Sequence, residues 1–329
     1  MRHWFRPDGE AVVGYVPAGG LWVVAGAPIC PSAQLVPTVE AFEAAAARAG
    51  CQVCYFGAQT RLVEALAERR PMAQLLLGAQ PVWDPRGWPA IVAGKASLRA
   101  QLARARNKGV AVTNLPAVAV ATHPAVRRCL TEWLATRHLP PLHFLVEPDT
   151  LAVPQDRRVF LAWRGVAVVA YLVATPIPNR DGWLLEQVVR GHAAPNGTAE
   201  LLIDGAMRAL ADVGAAYITL GVAPLSQRTT EIAHPQRLPV WAVLSLAQAH
   251  GQRLYNFAGL EAFKAKLQPC AWEPVYLLSG EHTISLRTLY AVAGAFAGAP
   301  PPVFLAHALV RAAAQALTWG VRRLRAMAR

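Results

Sequence analysis

Arg190 ends a β-branched and aromatic run, and Gly197 precedes an amphipathic stretch that begins at Thr198. The pattern predicts a strand, a glycine-containing loop and a helix N-terminus. The first amides of such a helix lack intrahelical acceptors, and its dipole adds partial positive charge there. Arg190, Asn196 and Gly197 are therefore candidates to hold a phosphate or a developing oxyanion. Glu200 stands two residues into the helix, where an acid gains from the dipole. Its chemistry suits orienting or deprotonating a hydroxyl, or gripping an ammonium group; the plain alternative is an acid that only stabilises the helix start. Asp204, one turn on, is the weaker candidate.

A second set of residues lies near the C-terminal third. Phe257, Leu260, Phe263 and Leu267 fall on one apolar stripe of a helix. On a helical wheel Lys264 lies about 45° from the centre of that stripe and Lys266 about 115°. Lys264 is thus expected at the edge of a buried face, and Lys266 nearer water. A lysine partly desolvated beside a cleft can hold a phosphate or an oxyanion. The competing reading is a surface Glu261–Lys264 pair worth under about 1 kcal/mol. Tyr255 and Asn256 offer hydrogen bonds just upstream, though a buried, satisfied Tyr reads the same way.

Charge is unevenly spread. The chain carries 32 Lys plus Arg against 20 Asp plus Glu. Residues 85–131 hold Arg86, Lys95, Arg99, Arg104, Arg106, Lys108, Arg127 and Arg128 with no acid. Residues 282–329 hold Arg287, Arg311, Arg322, Arg323, Arg325 and Arg329, again with no acid. The remainder is close to neutral, so two separate regions face polyanions, and nucleic acid and anionic lipid are the usual partners. Gly94 to Gly109 reads as a helix whose cations lack the i,i+4 acids of an ordinary solvated helix. Arg99, Arg104, Arg106 and Lys108 are its candidate phosphate contacts; an exposed Arg-rich helix is the alternative. Thr288 to Val310 has no charged residue and is interrupted by Pro300, Pro301 and Pro302. It predicts two short apolar helices in or on a membrane surface, followed by a basic amphipathic helix. Arg311, Arg322, Arg323 and Arg325 there suit an anionic leaflet, unless that helix packs on the body.

Other classes lose their support. No H-E-x-x-H, Walker A loop or G-x-S-x-G elbow occurs. Cys51 and Cys54 form a lone C-x-x-C without the second pair a zinc site needs, and five Cys with no secretory signal predict a reduced, cytoplasmic protein. Apolar residues make up 54% and charged residues 16%, which excludes a disordered chain.

The elements that position these residues are expected in two α+β units. The first has strands within 11–26, a helix over 39–49, a strand over 51–56, a helix over 62–68 and strand pieces within 74–83. The basic helix and a strand at 110–113 follow. The second has a helix over 124–137 and a hairpin of 159–163 and 166–174 turning at Arg164-Gly165. A strand over 183–190, a helix over 198–213 and a strand over 216–221 complete it. Boundaries fall at 1–117, 118–282 and 283–329.

The later blocks, in this order, carry a family resemblance. They are Ala194-Pro-Asn-Gly-Thr-Ala-Glu-Leu-Leu-Ile-Asp204, Tyr217-Ile-Thr-Leu-Gly-Val-Ala-Pro-Leu-Ser226, Leu254-Tyr-Asn-Phe-Ala-Gly-Leu-Glu-Ala-Phe-Lys-Ala-Lys-Leu-Gln-Pro269 and Trp272-Glu-Pro-Val-Tyr-Leu277. They resemble the catalytic domain of bacterial aminoacyl-phosphatidylglycerol synthases, the phosphatidylglycerol lysyltransferases or multiple peptide resistance factors. Ser97 to Val110 resembles that family's first-half basic helix. The resemblance covers about residues 50–280 and does not extend to the multi-span flippase half of long members. Val275 stands where an Arg is common, Glu200 where an Asp is usual, and Cys270-Ala271 contains an inserted residue. It implies an α+β fold of tandem GNAT-like (N-acetyltransferase) domains, mixed sheets flanked by helices, with the C-terminal tail added. It also implies transfer of an aminoacyl group from aminoacyl-tRNA to a hydroxyl of phosphatidylglycerol, with no metal and no cofactor. The tRNA then acts as co-substrate, DNA is not a partner, and the protein sits peripherally at the cytoplasmic face of the bacterial inner membrane. Glu200, Lys264 and Tyr255 become the catalytic candidates. A GNAT-type acyltransferase using acyl-CoA or a soluble acceptor, and a non-catalytic binder of RNA and lipid, are the rivals.

Overall fold

The computed structural model describes residues 1–67, 71–136, 141–226, 228–229 and 257–303. Its frame is one mixed sheet. From one edge the strands run β1 (Arg2–Phe5), β2 (Val12–Ala18), β3 (Leu21–Ala25), β4 (Gln52–Ala58), β12 (Ala271–Ser279), β5 (Ala73–Trp83), β10 (Tyr217–Thr219), β9 (Gly182–Arg190), β8 (Ala167–Ile177), β7 (Arg158–Arg164) and β6 (Val110–Pro116). The short β11 (Ala223–Pro224) also pairs with β5.

Helices cover both faces. On one face α1 (Leu35–Arg48) and α2 (Thr60–Ala67) bury Val39, Phe42 and Leu62 against Tyr55, Tyr276 and Leu278. Further along that face α3 (Trp88–Gly94), α4 (Ala96–Asn107) and α7 (Thr198–Asp212) enclose Trp88, Leu98, Leu102, Leu202 and Met207 over Trp83 and Ile218. Also on this side is α8 (Phe257–Lys266), with Phe263 and the following Leu267 in the same core. The opposite face carries α5 (Ala117–Val120), α6 (Pro124–Ala135) and α9 (Leu286–Ala297). Side-chain alternation along β12 separates the layers: Tyr276 and Leu278 look toward α1 and α2, Leu277 toward α9.

Most expected elements form, and the differences are instructive. The 74–83 pieces are one strand, kinked by a bulge where β11 passes so closely that a Cβ at Gly78 would strike the Ala223 carbonyl. The expected basic helix forms as α4, and a further short helix, α3, precedes it and was unforeseen, with Lys95 between them. The expected boundary at 117 does not end the sheet. Instead β12, late in the chain, is hydrogen-bonded between β4 and β5, while α4 of the first segment packs on α7 of the second. Of the expected tail, only the part up to residue 303 lies within the described residues. Its first helix, α9, packs on β2 and β3 and buries Thr288, Ala291, Val292 and Ala295, so one side of it faces protein. Among the described residues no helix is long and apolar enough to cross a membrane.

Candidate active site

The strands open a wedge. β10 pairs in parallel with β9 only from Tyr217–Thr219 to Gly182–Leu184. Beyond that point β9 continues to Arg190 bonded to β8 alone, and a register shift near Ala174 bulges it. The chain after Thr219 swings toward β5 as β11. At the closed end there is no room for a side chain, since a Cβ on Gly182 would meet the Tyr217 carbonyl. Past the open end, the loop after Arg190 delivers α7.

That loop is built to hold the helix start in place. Gly197 has φ +93, a left-handed conformation that favours glycine. A Cβ there would also drive into the Gln101 carbonyl of α4. Gly197 thus brings the basic helix against the first turn of α7. Among the described residues the amides of Ala199 and Glu200 have no acceptor. Arg190 and Asn196 are exposed beside them.

Two lysines of α8 complete this side of the wedge. Lys264 is buried, and its Nζ donates to the carbonyls of Gly221 and Val222, each at 2.8 Å. These carbonyls lie on the segment that diverges from β9. Burial pushes the Lys264 amine down to about 7, and no carboxylate pairs with it among the described residues. Two N–H groups are engaged; the third position of the nitrogen is a proton or a lone pair near neutral pH. Lys266 reaches α7 and binds Glu200 at 2.8 Å. The wheel placed Lys264 correctly at the buried edge. It placed Lys266 toward water because a wheel shows one helix and not its neighbour. The Glu261–Lys264 pair does not form: Glu261 accepts from Arg228 at 2.6 Å.

The other side of β10 carries a cluster that sequence reasoning missed. Glu273 of β12 accepts from Arg180 at 2.8 and 2.9 Å, from Tyr217 Oη at 2.9 Å and from Gln80 at 3.0 Å. Gln80 also donates to Tyr217 Oη at 2.8 Å, and Arg180 lies 4.6 Å over the Tyr217 ring and reaches Gln59. Burial, then the adjacent carboxylate, pushes the Tyr217 phenol well above its ordinary range. Tyr217 and Glu273 both stand in quoted sequence blocks, which was the available signal. Arg180, at the end of the 3-10 turn Pro178–Arg180 before β9, gave none.

The basic helix divides by partner. Arg106 binds Asp204 at 2.8 Å through one guanidinium nitrogen and so takes part in the packing of α4 on α7, while its side chain stays half-exposed. Asp204 also accepts from Trp88 Nε1 at 2.9 Å and from Arg208 at 3.0 Å. Arg99 donates to the carbonyls of Val92 and Ala93 at the end of α3. Arg104, bonded to Gln101, and Lys108 are exposed and meet no carboxylate among the described residues. Tyr255 and the tail cations Arg311, Arg322, Arg323 and Arg325 lie outside the described residues. Of the expected residues, Gly197 and Glu200 stand at the start of α7 with Arg190 and Asn196 at the two ends of the loop before it, and the Lys266–Glu200 pair ties that turn to α8, which carries Lys264; Arg104 and Lys108 are on the adjoining α4.

Comparison with curated protein sequences finds no match. Among solved structures, the chain superposes on the C-terminal domain of a protein described as a lysylphosphatidylglycerol synthetase from Agrobacterium fabrum. The TM-score is 0.73 at 23% identity, covering 90% of this chain and 89% of that one. L-PGS from Bacillus licheniformis gives 0.71 at 20% identity, covering 90% and 88%. A conserved protein of unknown function from Bacteroides thetaiotaomicron gives 0.52 at 12%, covering 82% and 83%. At these identities the likeness speaks to the mixed α+β fold. The family is fixed by sequence: residues 1–279 match the description "phosphatidylglycerol lysyltransferase, C-terminal", and the chain belongs to that family.

Proposed function

We propose that the protein transfers an aminoacyl group from aminoacyl-tRNA to a hydroxyl of phosphatidylglycerol, on a fold of tandem GNAT-like units, at the cytoplasmic face of the bacterial inner membrane. Lysine is the amino acid named in the family's description. The observation that carries this reading is Lys264, buried at the mouth of the wedge with two carbonyls as its partners. An aminoacyl ester is already activated, so positioning and proton transfer suffice and no covalent nucleophile is needed. The acceptor hydroxyl oxygen bonds to the aminoacyl carbonyl carbon as the ester bond to the tRNA ribose breaks. Its proton passes to the neutral Lys264 amine and from there to the departing ribose oxygen. The unpaired amides at the start of α7 face developing negative charge. Glu200, held by Lys266, orients the acceptor hydroxyl or the substrate ammonium. Arg104, Lys108 and Arg190 supply cations for the tRNA backbone near the same turn.

The test is transfer from charged tRNA to phosphatidylglycerol vesicles, read by lipid extraction and mass spectrometry, with an RNase-treated control. A new aminoacylated lipid that disappears after RNase is the expected outcome. Product that persists once the charged tRNA is destroyed would sink the tRNA donor and favour acyl-CoA. Absence of any product with the intact protein would leave a binder and not an enzyme.

A further inference from the structure

The loop between Arg190 and Thr198 is held at its two ends from opposite faces of the sheet. At its far end Gly197 abuts the Gln101 carbonyl of α4. At its near end the partner is α6, which packs across β8 and β9 on the other face. Val126, Cys129 and Leu130 seat that helix. Glu132 stands three residues past Cys129, so it leans over the same side, nearer the helix C-terminus. Its Oε2 accepts the His192 amide at 2.8 Å. Among the described residues no other side chain from outside the loop bonds the loop backbone.

Gly191 allows this close approach. It is buried, and its amide donates to the Val169 carbonyl at 2.9 Å. A Cβ there would stand 2.8 Å from Glu132 Oε2, 3.1 Å from the Val169 oxygen and 3.3 Å from Cys129 Sγ. Two turns then carry the chain to α7. The Ala194 amide donates to the Gly191 carbonyl at 3.1 Å, and the Thr198 amide to the Pro195 carbonyl at 3.3 Å. His192, Ala193 and Asn196 are exposed along the way.

A carboxylate that accepts a backbone amide makes a charge-assisted hydrogen bond, stronger than a neutral one. Beside a loop that receives a phosphate, the same charge opposes the ligand. Arg128 offsets it weakly, since its Nε stays 3.8 Å from Glu132 Oε1 and its side chain is 59% exposed. Glu132 is therefore unsuited to touch an anion, and what it supplies is a fixed place for the start of the loop. We propose that Glu132 is a positioning residue: from the face of the sheet opposite α7 it fixes His192, and so holds the loop that presents the unpaired amides of Ala199 and Glu200. This deepens the transfer reading above and rests on it for the use of those amides.

The experiment uses the full chain carrying Glu132→Ala or Glu132→Gln. The Gln variant keeps an acceptor oxygen and loses the charge. Deuterium exchange over residues 190–201 should quicken about tenfold in the Ala variant and stay unchanged in the Gln variant. In transfer from charged tRNA to phosphatidylglycerol vesicles, Glu132→Ala should lower kcat about tenfold at unchanged KM for the tRNA, because misplaced amides matter once charge develops. Glu132→Gln should keep kcat, with KM no higher. A residue that only stabilised the fold would lower the melting temperature and leave the kcat of folded protein alone. Gly191→Ala pushes on Glu132 from the loop's side and repeats the test should Glu132→Ala fail to fold. Unchanged exchange in the Ala variant overturns the proposal. So does an equal loss of kcat in both Glu132 variants, which would assign the charge itself to the chemistry. If the unmodified protein transfers nothing, exchange still decides: quickening in the Ala variant that Gln prevents keeps Glu132 as the loop's anchor and drops the transfer reading alone.

Discussion

α7 is gripped from two sides, and the grips differ in kind. Toward α4, Asp204 is almost wholly buried and takes three donors, from Trp88, Arg106 and Arg208. Toward α8, among the described residues, Glu200 meets the ammonium of Lys266 and Lys264 meets the carbonyls of Gly221 and Val222. One junction satisfies its polar groups among themselves, which is what a packing contact requires. The other holds a carboxylate by one partly exposed partner, beside unpaired amides and next to a diverging strand. Residue type does not separate the two carboxylates, which lie one turn apart on one helix; the number of donors each meets does.

The largest expected effect belongs to Lys264. Its amine titrates near 7 in the folded protein and near its ordinary 10.5 in the unfolded chain. Between these values the unfolded state holds a proton that the native state lacks, so this group makes stability rise with pH. The slope reaches about 1.4 kcal/mol per pH unit inside the window and vanishes below pH 7, where both states are protonated. Lys264→Met should remove that slope in denaturant titrations from pH 7 to 10 and should abolish transfer. A slope equal to that of the unmodified protein would mean the amine is not desolvated, and the contrast between the two junctions would lose its main support.

The two carboxylates can be set against each other directly. Glu200→Gln should reduce turnover about 100-fold while changing stability by under about 1 kcal/mol, because the Lys266 ammonium can turn to water. Asp204→Ala should act the other way. Arg106 and Arg208 are half-exposed and recover water, but the Trp88 indole N–H is buried and does not. The cost is about 2 kcal/mol, seen as a lowered denaturation midpoint, with transfer retained below it. If both variants behave alike, donor number does not separate packing from function on this helix.

What the sequence revealed follows the range of the forces involved. The Arg164-Gly165 hairpin, the strand ending at Arg190 and the helix starting at Thr198 are local patterns, and all three form. Lys264 was legible because one helix's own stripe decides its burial. Lys266 bonding Glu200 was not, since the partner sits on a helix 66 residues away. Nor was the insertion of β12 between β4 and β5, a pairing between segments about 200 residues apart. α9 shows a limit of composition: an apolar helix reads the same whether a sheet or a bilayer covers it, and here a sheet covers one side.

The smallest effect falls on α4, where the comparison reaches single residues. Arg106 is committed to Asp204, and Arg99 to the end of α3, while Arg104 and Lys108 have no carboxylate among the described residues. If the helix borders tRNA, Arg104→Ala/Lys108→Ala should lower the slope of log affinity against log salt by between one and two, since each lost phosphate contact releases fewer counterions. Stability should not change, because neither side chain is buried. Arg106→Ala should leave the salt slope nearly intact and shift the denaturation midpoint instead. Filter binding across a salt series reads the first quantity and urea titration the second. A salt slope that falls for Arg106→Ala and not for the double variant would reverse the assignment, placing RNA over the Asp204 junction and leaving the exposed cations as solvated surface.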